Sequence, residues 1–428
     1  MKQLLNKTKG DQIIWGVVLV LSLVSLLAVY SSVSSLAIRK HTTTSHFLIK
    51  QIMILGLGFV IIYFIHNVNY AKFAKVSIWA YLISLPLLLW TLAFGANINS
   101  GARWIRVPVI NLTFQTSDLA KLALFMFLAR MLSIKQNVIT DFKKGFIPVL
   151  LPVLVTCGLI APANLSTALM IGTTASIVFF IGRVELKHIG ILIASGIGIL
   201  LIVFSISFAT GKGRAATWLH RIESFRKGED KNDAQTDGYQ VLQAKIAIAN
   251  GGITGRGPGN SLQRNFLPHA DSDFIYAIIL EEYGLVGGFI LILIYLLFLW
   301  RSILIFKRCP YAFGAFLAVA LAVALVFQAM LNMAVNVHLM PVTGITLPLV
   351  SMGGSSIWFT SVAIGIILSV SKYVDEMEGK SGGRPRKPST KKTSEISDDD
   401  FDDVFNNETS KIFVQSGKKG GNAPEPAI

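Results

Sequence analysis

The stretch YAFGAFLAVALAVALVFQAMLNMAV, residues 311–335, runs 25 positions without a charged side chain. A helix of about 20 apolar residues crosses the hydrocarbon core of a bilayer, so this segment reads as a membrane span. Outward from it the pattern recurs at about 13–38, 47–66, 74–95, 117–134, 145–162, 165–182, 187–209, 273–299 and 345–371. The reading predicts an all-α polytopic membrane protein of about ten transmembrane helices. Composition agrees: the 428 residues are 53% hydrophobic and 15% charged, where roughly 25% charged is usual in soluble domains. A soluble globule, a disulfide scaffold, a coiled coil and a nucleic-acid-binding globule are excluded on this ground. Cys157 and Cys309 lie in unrelated contexts and read as free thiols.

The first span is longer than a signal-peptide core and lacks a small-residue cleavage site, so it is expected to stay as a helix. The fourth carries Asp118, Lys121 and Arg130, and is viable only if its polar start faces protein or water. With the N-terminus inside, the inside loops hold 14 Lys and Arg and the short outside loops hold 5. That asymmetry places both termini in the cytoplasm and the long segment 210–272 outside. It also accounts for the net charge of +15 without a nucleic-acid partner. The chain therefore divides into a transmembrane body, 1–371, which encloses a large extracytoplasmic loop at 210–272, and a tail, 372–428. The tail is Gly-, Pro-, Ser- and Lys-rich, then acidic around Asp398–Asp403, and is expected to be disordered.

Only 13 carboxylates lie in the body, which permits elimination. Asp118, Asp273, Glu281 and Glu282 fall at or within spans, where an ionisable group needs a partner or a task. Asp273 stands where the large loop meets the eighth span. A carboxylate at a helix start caps free N–H groups, worth roughly 1 kcal/mol. Asp271 or Ser272 would cap equally well, so cap and catalysis both stay open for Asp273. Glu281, roughly 12 Å deeper along a continuous helix, reads as a structural polar contact. The run Gly255-Arg256-Gly257-Pro258-Gly259 lacks the spacing and the βαβ setting of a nucleotide fingerprint, and reads as a tight, backbone-rich loop. Arg103, Lys121 and Arg221 are cations suited to an anion. Equally, Arg103 can snorkel beside Trp104, and Lys121 can pair with Asp118 one turn away.

Three blocks carry a resemblance. The first is Gly101–Trp104 followed by Gln115–Leu122. The second runs from Gly238 through Gly257, Asn260, Gln263 and Pro268 to Asp273 and Glu281-Glu282. The third holds Asn332–Asn336, Leu339–Pro341 and Gly344 through Pro348 and Ser351 to Gly353-Gly354-Ser355-Ser356. Together they resemble the SEDS family, whose members include FtsW, RodA and SpoVE, over roughly residues 12–371. Gly259–Gln263 and Thr346–Ser351 are more similar to FtsW members than to RodA members. The chain departs from the family pattern at Thr116–Asp118, at Pro162–Asn164 where a charge is lost, at Asp271-Ser272 and at Met352. Asp273 is retained.

The resemblance implies a peptidoglycan glycosyltransferase of the bacterial cytoplasmic (inner) membrane. It would polymerise lipid II on the outer face, at the division septum, releasing undecaprenyl pyrophosphate. Asp273 is then the general base. Arg103 and Lys121 hold the pyrophosphate, and Arg221, Gln263 and Ser351 shape the substrate site. Gly257, Asn260, Pro268, Glu281, Pro348, Gly353 and Gly354 belong to the structural motifs. One carboxylate suffices, because pyrophosphate is a good leaving group that needs positive charge, from these side chains or from a divalent cation, Mg or Mn. No nucleotide or redox cofactor is required. The polyprenyl chains need an apolar groove between spans. The implied partners are a class B penicillin-binding protein, a transpeptidase, and other divisome proteins. Two readings from other classes stand beside this one: a lipid II flippase, and a non-catalytic divisome scaffold. Within the family, a RodA-like role in elongation is the alternative.

Overall fold

The computed structural model describes residues 10–33, 36, 41–94, 96–98, 101–107, 112–210 and 237–380. Its helices are α1 (Gln12–Ser32), α2 (Thr44–His66), α3 (Lys72–Phe94), α4 (Thr116–Ile134), α5 (Ile147–Ile160), α6 (Leu165–Ile181), α7 (Leu186–Thr210), α8 (Asp237–Gly251), α9 (Ile275–Arg308), α10 (Ala312–Asn336) and α11 (Ser355–Lys380). Ten of these, all but α8, coincide with the ten apolar stretches. Seven segments among the described residues are long and apolar enough to cross a membrane: α1, α2, α3, α9, α10, residues Phe142–Ile160 and residues Ser355–Glu378. The chain is a multi-pass membrane protein.

The deciding stretch, α10, is the central helix. It packs against α4, α6, α9 and α11 and is buried on nearly every face. The helices around it turn apolar side chains outward, among them Phe64, Phe289 and Trp300, as lipid-facing surfaces do. Small residues allow close approach where neighbours meet. A Cβ on Gly58 of α2 would come within 2.7 Å of Ser361 Oγ on α11, and one on Gly365 within 2.8 Å of Ile65. The polar start of α4 faces protein, as its survival requires, since Asp118 in its first turn is buried; near its other end Arg130 is buried too and donates to the Ala74 carbonyl at 2.7 Å.

Four features differ from the pattern-based reading. The tenth span begins at Ser355, not at 345. Residues 341–354 are non-helical yet mostly buried, broken by Pro341, Gly344 (φ 67°), Pro348, Leu349 (φ 62°) and Gly354 (φ 50°). Irregular backbone inside a membrane body must be satisfied by protein. Here Asn332 donates to the Ile345 carbonyl, Gln328 to Thr346, Tyr295 to Pro348 and Ser25 to Val350. Second, α9 is broken at Gly284 (φ 68°, ψ −171°), so Glu281 and Glu282 lie on a separate helical segment above the break. Third, the large loop is not wholly irregular, since it contains α8 and a 3₁₀ turn at Gln263–Asn265. Fourth, a small antiparallel sheet links α3 to α4. Its strands are β1 (Ala96–Ile98), β2 (Gly101–Val107) and β3 (Leu112–Gln115), in the order β1-β2-β3. α11 itself runs nine residues past the boundary at 371, and the tail from 381 lies outside the described residues.

At one face of the bundle Asp11 caps α1 through the amides of Ile13 and Ile14. It also pairs with Arg301 at 2.6 Å, and its own N–H donates to Ser371 Oγ at 3.0 Å. The start of α1 and the ends of α9 and α11 therefore share that face. Arg308 pairs there with Asp375 and Glu378. In the adjoining connection between α9 and α10, burial pushes the Cys309 thiol up to about 11. Since the thiolate is the nucleophile, Cys309 should react with maleimide at pH 7.5 about 100-fold more slowly than an ordinary thiol of pKa near 9. The rate should rise tenfold per pH unit, and a rate matching glutathione at neutral pH would contradict that environment.

Candidate active site

The site grows from three polar residues on an otherwise apolar helix. Gln328, Asn332 and Asn336 are spaced by four along α10, so they align on one face. Asn332 Nδ2 and Asn336 Nδ2 each donate to the Asp273 carbonyl at 2.9 Å. Asn336 Oδ1 accepts the Ala277 N–H at 3.0 Å, supplying the first turn of α9 with a partner from another helix. Two amide donors on one carbonyl hold the backbone of Asp273, so its half-buried side chain projects from a fixed point.

The loop before α11 secures the same segment from the other side. Ser351 Oγ accepts the Leu347 N–H at 2.8 Å and donates to the Ser272 carbonyl at 2.6 Å. The Met352 N–H donates to the Asp271 carbonyl at 2.9 Å. Ser351 thus reaches the Asp273 segment through backbone, as a positioning group. Replacing Asn336 by Leu keeps the branched shape but takes away the Oδ1 acceptor, leaving the Ala277 N–H with the Phe274 carbonyl at 3.1 Å alone, and removes one donor from the Asp273 carbonyl. The expected result is a loss of about 1–3 kcal/mol of stability and a fall in turnover of about tenfold to 100-fold with unchanged KM, read by thermal unfolding in detergent and by steady-state kinetics.

Lys121 lies on α4 with its side chain 11% exposed. Its Nζ contacts Asp118 Oδ1 at 3.4 Å, the one-turn pair that spacing allows. It also donates to Gln328 Oε1, while Gln328 Nε2 donates to the Thr346 carbonyl at 2.9 Å. The cation therefore connects to the loop that holds Ser351. Arg103 is on β2, next to Trp104, which is in register with Gln115 of β3. Gln115 N–H donates to Ser355 Oγ at 3.3 Å, and Phe114 lies edge-on to Phe359 at 5.3 Å. The strand bearing Arg103 is in this way tied to the Gly353-Gly354 turn. The Arg103 side chain and the whole of Arg221 lie outside the described residues. Pro348 is the acceptor for Tyr295, and Gly353 accepts the Ser356 N–H at 2.9 Å.

The second block builds a support above α9. Glu281, fully buried, accepts from Ser261 Oγ, from the Leu262 N–H at 3.2 Å and from the Gln263 N–H at 3.2 Å. Asn250 Nδ2 adds a contact at 3.4 Å. Gln263 is thus fixed by its main chain, and its Oε1 is buried without a hydrogen-bond partner among the described residues. Glu282 accepts from Ser31 Oγ of α1, and Arg264 reaches the Gly259 carbonyl at 2.9 Å. Gly257 donates to the Glu282 carbonyl, Asn260 Nδ2 to the Arg256 carbonyl, and Pro268 precedes a left-handed His269 (φ 55°). Changing Glu281 to Gln opposes an amide NH₂ to these donors and should cost about 2–3 kcal/mol. A thermal midpoint equal to wild type would contradict its place in this network.

Sequence reading found the Asp273 segment and, as a motif within a span, residues 344–354, but missed Gln328, and it valued Asn332 and Asn336 only as resemblance. The signal was present, since these are the only three polar side chains on α10, all on one face. It also gave no role to Ser31, Ser25, Asn250 or Arg264, because isolated polar residues reveal no partner.

Comparison with known proteins follows the same lines. The FtsW/RodA/SpoVE cell cycle protein family model matches residues 11–376. The chain is 34% identical to stage V sporulation protein E of Bacillus subtilis (strain 168) over 373 residues, covering 86% of this chain and 98% of that protein. It is 32% identical to the probable peptidoglycan glycosyltransferase FtsW of Geobacter sp. (strain M18) over 367 residues, covering 84% and 96%. Among solved structures, a chain from a peptidoglycan synthase complex that coordinates polymerization and crosslinking matches with a TM-score of 0.66 at 26% identity, covering 85% of this chain and 98% of that one. The RodA rod shape determining protein of Thermus thermophilus shares the fold, with a TM-score of 0.62 at 23% identity and 86% and 98% coverage. With its three motif blocks meeting at one loop and its whole membrane body matched, the chain belongs to the FtsW/RodA/SpoVE family of cell cycle proteins, on the FtsW-like side.

Proposed function

We propose that this chain polymerises lipid II as a peptidoglycan glycosyltransferase, with Asp273 as general base. One observation carries the assignment: the Asp273 backbone is held by Asn332 and Asn336, and the Asp271-Ser272 backbone by Met352 and Ser351, at the end of α9 opposite the Asp11–Arg301 face. Such rigidity suits a proton acceptor that must meet a sugar hydroxyl in one geometry. In the reaction the 4-hydroxyl oxygen of one saccharide bonds to the anomeric carbon of another. The bond from that carbon to the pyrophosphate oxygen breaks and its electron pair leaves on the phosphate. The hydroxyl proton passes to the Asp273 carboxylate. Lys121 and Arg103, with Arg221, supply positive charge toward the leaving group, while Gln263 lines the saccharide side. A Mg or Mn ion carried on the pyrophosphate would need only one or two protein carboxylates, and Asp271, two residues from the base, would be the one on this segment to supply it.

Relatives named peptidoglycan glycosyltransferases support this chemistry. The charge asymmetry of the loops supports an outer-face site in the bacterial cytoplasmic membrane, because Asp273 lies away from the basic face. The FtsW-like motifs support action at the division septum. The structural match to a peptidoglycan synthase complex supports a class B penicillin-binding protein as partner, with other divisome proteins around it. An apolar groove between α5, α6 and α7 suits a polyprenyl chain. Gly158, Gly172 and Gly196 line it, and a Cβ at any of them would meet nothing within 4 Å among the described residues.

The deciding experiment is lipid II polymerisation by the purified chain with its class B partner in detergent, where transport cannot be scored. Glycan ladders establish the enzyme. A well-folded complex that makes none overturns the proposal in favour of a flippase or a scaffold.

A further inference from the structure

The break in α9 exchanges hydrogen bonds with the glycine-rich loop in a regular way. In an unbroken helix the Leu285 N–H would donate to the Glu281 carbonyl and the Val286 N–H to the Glu282 carbonyl. Instead Leu285 donates to Gly252 at 3.0 Å and Val286 to Ile253 at 3.2 Å. The two vacated carbonyls accept the Arg256 N–H at 3.0 Å and the Gly257 N–H at 2.9 Å. The loop has entered the helix and replaced two of its bonds with four of its own. Steric room for this exists only without side chains. A Cβ on Gly284 would lie 2.2 Å from the Ile253 carbonyl oxygen, and one on Gly255 would lie 2.2 Å from that of Glu282. The Gly284 backbone, at φ 68° and ψ −171°, occupies a region essentially reserved for glycine.

We infer that α9 has two bonded states and that Gly284, with the loop at 251–257, positions Asp273 by choosing between them. In the state seen here the loop is inserted. In the other the loop withdraws, Gly284 turns to helical φ, and Leu285 and Val286 bond Glu281 and Glu282. A helix that crosses a membrane cannot leave these groups unpaired, which makes intermediate arrangements costly. The loop can, because Gly252, Ile253 and Arg256 are exposed and return to water. Withdrawal converts the segment from Asp273 to Tyr283 into a rigid extension of the span. Its direction changes, and with it the bonds of Asp273 to Asn332 and Asn336. The catalytic consequence rests on Asp273 being the base, whereas the exchange itself does not.

Hydrogen exchange of the full chain in nanodiscs, resolved to single amides, tests this against Gly284→Ala and Gly255→Ala, which block insertion from opposite sides. In both variants the Arg256 and Gly257 amides should lose protection by about 100-fold, while Leu285 and Val286 keep theirs, and polymerisation should fall in kcat with KM retained. Loss of protection at Leu285 and Val286 together with the loop would mean simple unfolding and would overturn the inference, as would a loop that stays protected. Should neither variant accumulate, wild type decides: Arg256 and Gly257 should exchange faster than Leu285 and Val286, and equal rates at all four refute the exchange. Asp273→Asn separates the two claims. It should keep the wild-type protection pattern and lose activity, whereas retained activity removes the base assignment and leaves the exchange standing.

Discussion

Replacing Asp273 with Asn is expected to lower lipid II polymerisation by about 1,000-fold, within the 10²–10⁴ range of general-base catalysis. The substitution preserves shape and leaves the main-chain bonds from Asn332 and Asn336 in place. The protein should therefore insert, fold and bind its partner normally. What is lost is the acceptor for the sugar hydroxyl proton. The measurement is the glycan ladder at matched protein amounts, with the thermal midpoint as a control. Wild-type rates in the Asn variant would move the base elsewhere, and Asp271, two residues away on the same segment, would be the next to test.

The second large effect concerns Lys121. Lys121→Met should reduce turnover by about 100- to 1,000-fold, as expected for losing a cation from a developing anion. It should also destabilise the fold by about 3–5 kcal/mol, because it leaves Asp118 buried beside no positive charge. The double change Asp118→Asn with Lys121→Met separates the two effects. Asparagine needs no counter-charge, so stability should recover. Activity should not recover if Lys121 serves the pyrophosphate. A double variant with full activity would reduce Lys121 to a structural partner of Asp118 and Gln328, the role that its 3.4 Å contact and low exposure already provide. Thermal unfolding and turnover, measured on the same samples, distinguish these outcomes.

Hydrophobic run length alone located the ten apolar helices, because a bilayer demands about 20 apolar residues per crossing whatever the neighbours are. The motif blocks named Asp273, Ser351 and the glycine turns, and charge balance gives the orientation expected of the chain. Runs of apolar residues could not reveal that 345–354 is irregular. Its sequence is as apolar as a span, and its breaks at Pro348, Leu349 and Gly354 are tolerated inside the bundle because side chains from α1, α9 and α10 satisfy its carbonyls. Nor could they show the break at Gly284, since glycine is common within apolar helices and its conformation here depends on a loop some thirty residues earlier. The convergence of Asp273, Asn332, Asn336 and Ser351 was likewise invisible along the chain, where up to 79 residues separate groups that now share hydrogen bonds. Local composition decides which segments enter the membrane. Only long-range pairing of their buried polar groups decides where the chain stays unwound and which carboxylate is held in place.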